Sequence, residues 1–121
     1  MRRINTLVLV GIVASSLFCL PIPSSAQESG EHLTKHALEE CHRGRLAVDR
    51  ATRLAHFHQG QIVGERAVAK DEGNADAHFA LFCNLGELLR VDGESLTSLF
   101  GLRRMMNELN RVLELDPAHI D

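Results

Sequence analysis

The chain has no tryptophan, no tyrosine and only five phenylalanines among its 121 residues. Aromatic faces are the usual platforms for stacked bases, so few such platforms exist here. No glycine-rich phosphate loop and no nucleophile-elbow glycine pattern occurs. There is no Cys-x-x-Cys-His, which leaves covalent haem attachment without support. No stretch alternates apolar and polar residues as a half-buried strand does. The three prolines are Pro21, Pro23 and Pro117, so the long middle of the chain is free of them. These absences point to an all-α protein without an assembled catalytic motif.

Basic charge is also in short supply. Met1-Arg2-Arg3 is a short basic head before a mostly apolar run, Leu7 to Leu20, which Pro21 and Pro23 interrupt. Ser24-Ser25-Ala26 then offers small residues, and the whole reads as a secretory signal peptide over 1–26, cleaved after Ala26. The apolar run is shorter than the roughly 20 residues needed to span a bilayer, so no stable transmembrane segment is expected after cleavage. Residues 27–121 then carry 11 basic and 16 acidic side chains, a net charge of −5 with neutral histidines. That balance argues against a nucleic-acid partner. Export, most simply to a bacterial periplasm, leaves Cys41 and Cys83 in an oxidising compartment. They either pair as a disulfide or stay buried as two small apolar thiols. If the helices stack as paired repeats, the two lie at different heights on neighbouring helices, which disfavours the bridge.

What is present is helical. Leu33, Ala37 and Cys41 recur at spacings of four, with Lys35, Glu39 and Glu40 on the other side. Leu46, Ala47, Ala51, Leu54 and Ala55 prolong the apolar stripe, so the first turn is expected at His56 to Gly60. A second helix over about 57–70 carries Gly60, Gly64 and Ala67 on one side. Each mid-helix glycine costs about 1 kcal/mol against alanine, which makes sense if another helix crosses there closely. Asp71-Glu72-Gly73-Asn74 is a stop, with Asn74 or Asp76 capping the next helix over about 75–91. A last helix is expected over about 99–115, stopped by Asp116-Pro117.

The stretch Ala67 to Leu89 is echoed near the C-terminus, where Val112 to Asp121 repeats a helix end, an acidic turn and a new start. Phe82-Cys83-Asn84-Leu85-Gly86, with Leu89 and Gly93, resembles the first helix of the tetratricopeptide repeat. Met105, Leu109, Val112 and Pro117 occupy its second-helix and exit positions, although Met105 is not small. Gly60, Gly64 and Ala67 match the preceding second helix, with Glu72 in place of the exit proline. The exits Glu72 and Pro117 lie 45 residues apart, against about 34 for a standard repeat. The excess falls in a longer turn around Ser95 to Gly101 and one extra helical turn. The resemblance covers roughly 42–121. It implies a right-handed solenoid of about two helix pairs within 27–121, incomplete as it stands. Leu96 to Phe100 and Gly101 to Met106 are also similar to the T-component-like proteins of tripartite periplasmic transporters.

Proteins of this repeat type bind peptides or proteins on the face made by the first helices. The resemblance therefore implies a non-catalytic exported scaffold, with no cofactor and a protein or peptide partner. The groove candidates are Phe79, Cys83, Glu87 and Arg90 on one first helix, and His42, Arg45, Asp49 and Arg53 on the preceding one. Self-association into a homo-oligomer would be another way to cover the apolar end. An accessory role in a periplasmic transport system is a further reading, as is a metal-binding or enzymatic module around His32, His36 and His42. His32 and His36 share a helix face, as metal ligands require, with Glu39 and Glu40 nearby, and the plainer reading of the same residues is a solvated polar face at a helix start.

Overall fold

The computed structural model describes residues 28–92 and 97–119. The expected signal peptide, part of the long turn around Glu94, and the last two residues lie outside them. Four helices make up the fold: α1 Gly30–Leu46, α2 Arg50–Lys70, α3 Ala75–Asp92 and α4 Thr97–Leu115. Among the described residues there is no strand, so the all-α expectation holds.

Each start has a local cause. Ser29 caps α1 by accepting from the His32 amide at 3.1 Å, with Glu31 in the first turn and Arg43 and Arg45 in the last. Those charges complement the helix dipole. Asn74 caps α3, its Oδ1 accepting from the amides of Asp76 at 2.9 Å and Ala77 at 3.3 Å. Asp71 shapes the turn before it, accepting from the Gly73 amide at 3.0 Å. At the far end the Asp116 amide closes α4 onto the Val112 carbonyl at 2.8 Å, and Pro117 follows.

The first turn is not where the apolar stripe placed it. It falls at Ala47 to Asp49, and His56 to Gly60 lies inside α2. Asp49 decides this, since its side chain accepts from the Thr52 amide at 2.8 Å and starts a new helix. Leu46, Ala51 and Ala55, which prolong the stripe in sequence, are exposed. Gly44 does not break α1. It is buried, and a Cβ there would collide with the ring of Phe57, itself fully buried. Glu40 also departs from expectation, because it is buried rather than on a solvated side.

The core joins α1, α2 and α3 through Leu33, Ala37, Val63, Ala67, Ala77 and Ala80. Its small residues let backbones approach. A Cβ on Gly64 would sit 3.1 Å from the Leu81 Cα, and one on Gly60 would overlap the Asn84 side chain. The glycine series of α2 thus faces a closely crossing helix, as its spacing predicts. Asn84 is fully buried in that crossing and donates to the carbonyls of Ala37 and Ala80, both at 2.9 Å. Helix α3 packs on α1, α2 and α4, whereas among the described residues α4 packs on α3 and reaches α2 through the Arg104–Glu65 pair.

Candidate functional site

Helices α1 and α3 lie side by side, and beyond the hydrogen bond from Asn84 to the Ala37 carbonyl two further links fix their register. Cys41 and Cys83 form a disulfide with Cα atoms 6.4 Å apart, a separation within disulfide geometry. The expectation that they sit at mismatched heights is therefore wrong: Arg45 and Glu87, four residues further along each helix, also meet. Arg45 Nε donates to Glu87 Oε1 at 2.6 Å, and Arg90 Nε donates to Glu87 Oε2 at 2.8 Å. Burial pushes the Glu87 carboxyl up, but hydrogen bonds from Arg45 and then Arg90, with their charges, more than offset it. The carboxyl titrates below the ordinary glutamate range. Both guanidinium groups remain largely open to solvent while their shared carboxylate is covered.

Of the eight expected groove residues, the structure gathers Cys83, Glu87, Arg90 and Arg45 around this contact. His42 is exposed on α1. Phe79 is half-buried on α3, with Phe82 at 6.1 Å and His119 at 5.1 Å between ring centroids, the latter edge-on. Asp49 and Arg53 do not continue the α1 stripe, because the chain turns before them. Asp49 is the cap of α2, and hydrogen bonds from the Thr52 backbone hold its carboxyl below the ordinary aspartate range. Arg53 lies on α2, where its Nε is shielded without a hydrogen-bond partner among the described residues. Next to it in the chain order, Arg50 pairs with Asp92 at 2.8 Å and ties the start of α2 to the end of α3.

Two polar clusters escaped the sequence reading. Glu40, buried between α1 and α2, accepts from Arg43 at 3.0 Å and meets His56 Nδ1 at 2.7 Å, with His36 Nε2 at 3.7 Å. The i, i+3 and i, i+4 spacings of Arg43 and His36 were a usable signal, whereas His56 was masked by the misplaced turn. His78, buried on α3, meets Glu108 Oε2 of α4 at 2.6 Å through Nδ1 and the Glu72 carbonyl at 3.0 Å through Nε2. A carbonyl only accepts, so Nε2 carries a hydrogen. Nothing in the spacing of residues 78 and 108 announces this pair.

Among the described residues one cavity opens between the start of α1 and the turn that joins α2 to α3, and a second, a surface depression, runs along α1 itself. One, of about 490 Å³, is lined by Glu28, Ser29, Gly30, Glu31, Lys70, Asp71 and Asn74. The other, of about 290 Å³, is lined by His32, Lys35, His36, Glu39 and Arg43. Their walls are exposed or half-buried polar groups, unlike the mostly apolar lining of small-molecule sites. His32 and His36 stand 6.5 Å apart between ring centroids. Among the described residues no three His, Cys, Asp or Glu side chains form a group that could hold a metal. No described helix is long and apolar enough to cross a membrane. Compared with family models, curated proteins and solved structures, the chain finds no match.

Proposed function

We propose that this chain is an exported, non-catalytic helical-repeat scaffold that binds a protein or peptide on the face made by α1 and α3. The observation that carries the proposal is the neighbour order of the helices. α1 and α3 pack together, each is followed by a helix beside it, and α2 also packs on α3. Two stacked helix pairs produce that order. The Cys41–Cys83 bridge supports an oxidising destination, and with it the reading of residues 1–26 as a signal peptide.

The chemistry of the face suits an extended or helical segment bearing an acidic side chain and an apolar one about 16 Å apart. Arg45 and Arg90 are held in place by Glu87 yet keep donors free for a second carboxylate. Phe79, half-buried on the same side of α3 and about 16 Å from Arg90 along the helix, supplies an apolar anchor, and aromatic and arginine side chains carry most energy in such interfaces.

A photo-crosslinking amino acid at position 42 or 90 tests this in the producing cell, with position 62 on α2 as the control. Ile62 is exposed. A discrete adduct from 42 and 90 that is absent from 62, and lost when Arg45→Glu is introduced, is the expected result. Adducts of equal yield from all three positions would overturn it.

A further inference from the structure

Helix α4 packs on α3 with one side only and leaves an unusual amount of apolar surface outside. Val112 is its fully buried residue, while Leu99 is 65%, Leu102 46%, Met106 42% and Leu113 41% exposed. These four, with half-buried Leu109, step along α4 by three, four, three and four residues. That is the a/d repeat of a two-helix seam, held for two heptads. The seam is presented outward by design of the opposite side. There Glu108 is held by His78 at 2.6 Å and Arg104 by Glu65 of α2 at 2.6 Å, so α4 cannot roll to hide the seam without breaking both pairs.

From this we infer that the seam of α4 is an isologous interface for a second copy of the chain, packed antiparallel. The charges beside the seam select both occupant and direction. Arg103 and Glu114 are exposed and lie along the same flank, about 16 Å apart at 1.5 Å per residue. An antiparallel two-fold pairing sets each Arg103 against Glu114 of the second copy, twice over. It also sets Leu102 opposite Leu113 and Met106 opposite Leu109. A parallel two-fold pairing would put the two like flanks on opposite sides of the seam, where Arg103 and Glu114 do not meet across it. Among the described residues of its own chain Glu114 meets only Arg111, at 3.1 Å. That exposed i, i+3 pair is weak and yields readily. The interface rests on α4, which carries none of the residues assigned to the partner-binding face, so it stands independently of that reading.

Sedimentation equilibrium of the purified chain, over a concentration range spanning about 1 µM to about 1 mM, reads the self-association directly. A reversible dimer is expected. Met106→Glu should raise its dissociation constant by about 30-fold or more, as loss of a central anchor does. Arg103→Glu alone and Glu114→Arg alone should each raise it by about tenfold, and the double exchange should restore it. All three positions are exposed, and unchanged circular dichroism will show that the fold persists. A monomer throughout the range would overturn the proposal. So would a dimer indifferent to these substitutions, or a double exchange that fails to restore association.

Discussion

At the scale of single residues, Gly60 leaves less room for a Cβ than any other described glycine, and Asn84 is what fills the space. Asn84 has no exposure, spends its amide hydrogens on two helix carbonyls, and leaves its Oδ1 without a partner beside Gly60. Any Cβ at 60 would overlap that side chain. Gly60→Ala would gain about 1 kcal/mol of helix propensity on an open surface. Here overpacking should reverse the sign and cost about 1–3 kcal/mol. Asn84→Ala makes room for the new methyl, so the double variant should be less destabilised than the two single losses added. Urea denaturation of the four proteins measures this coupling, and strict additivity would refute the contact. The glycine spacing made the close crossing legible in the sequence. The identity of the residue across it was not, since Asn84 reads there as one polar position in an amphipathic helix.

At the scale of elements, caps outweighed periodicity. The apolar stripe running through Leu46, Ala51 and Ala55 suggested one helix across residues 47–49, yet those side chains face solvent. The deciding signal was Asp49 with its partner amide three residues on, a pattern as short as it is strong. Asp49→Ala should therefore cost about 1 kcal/mol, read as a lowered denaturation midpoint with an unchanged slope. Where stripe and cap agreed, at Asn74 before α3 and at Asp116-Pro117 after α4, the boundaries were legible. The pairing of α1 with α3 has its own pH signature. Glu87 has a folded-state pKa below its unfolded one, so its contribution is complete above the ordinary glutamate range, about 4.3. It is lost as pH falls through the lower folded value. Wild-type stability should thus decline on acidification below about pH 4.3, and Glu87→Gln should be less stable near neutrality with a shallower decline. Identical pH profiles for the two proteins would remove Glu87 from the account.

At the scale of the whole molecule, the chain divides into a cross-linked body and an attached helix. α1, α2 and α3 pack mutually, whereas among the described residues α4 packs on α3 and reaches α2 through the Arg104–Glu65 pair. Native-state hydrogen exchange should therefore protect the amides of α1–α3 more than those of α4. The disulfide joins residues 42 apart in sequence, and the chain-entropy model assigns a closure of that length about 4 kcal/mol. Cys41→Ser with Cys83→Ser should lose up to that amount while remaining helical by circular dichroism. The two cysteines could not be paired from the sequence because their relative height depends on where the first turn falls. Once Asp49 ends the stripe, α1 shortens, α2 lengthens, and the two thiols come level.

The bridge also turns residues 41–83 into a covalent ring that contains all of α2. Two oxidised chains cannot trade any segment inside a closed ring without opening it, so exchange dimers built from α2 or from the first half of α3 are excluded by topology. Helix α4 lies wholly beyond the ring. Whatever association these molecules undergo in the oxidised state is confined to surface contact or to the exchange of segments outside residues 41–83, α4 and residues 30–40 of α1 among them, and reduction is the act that would release the rest.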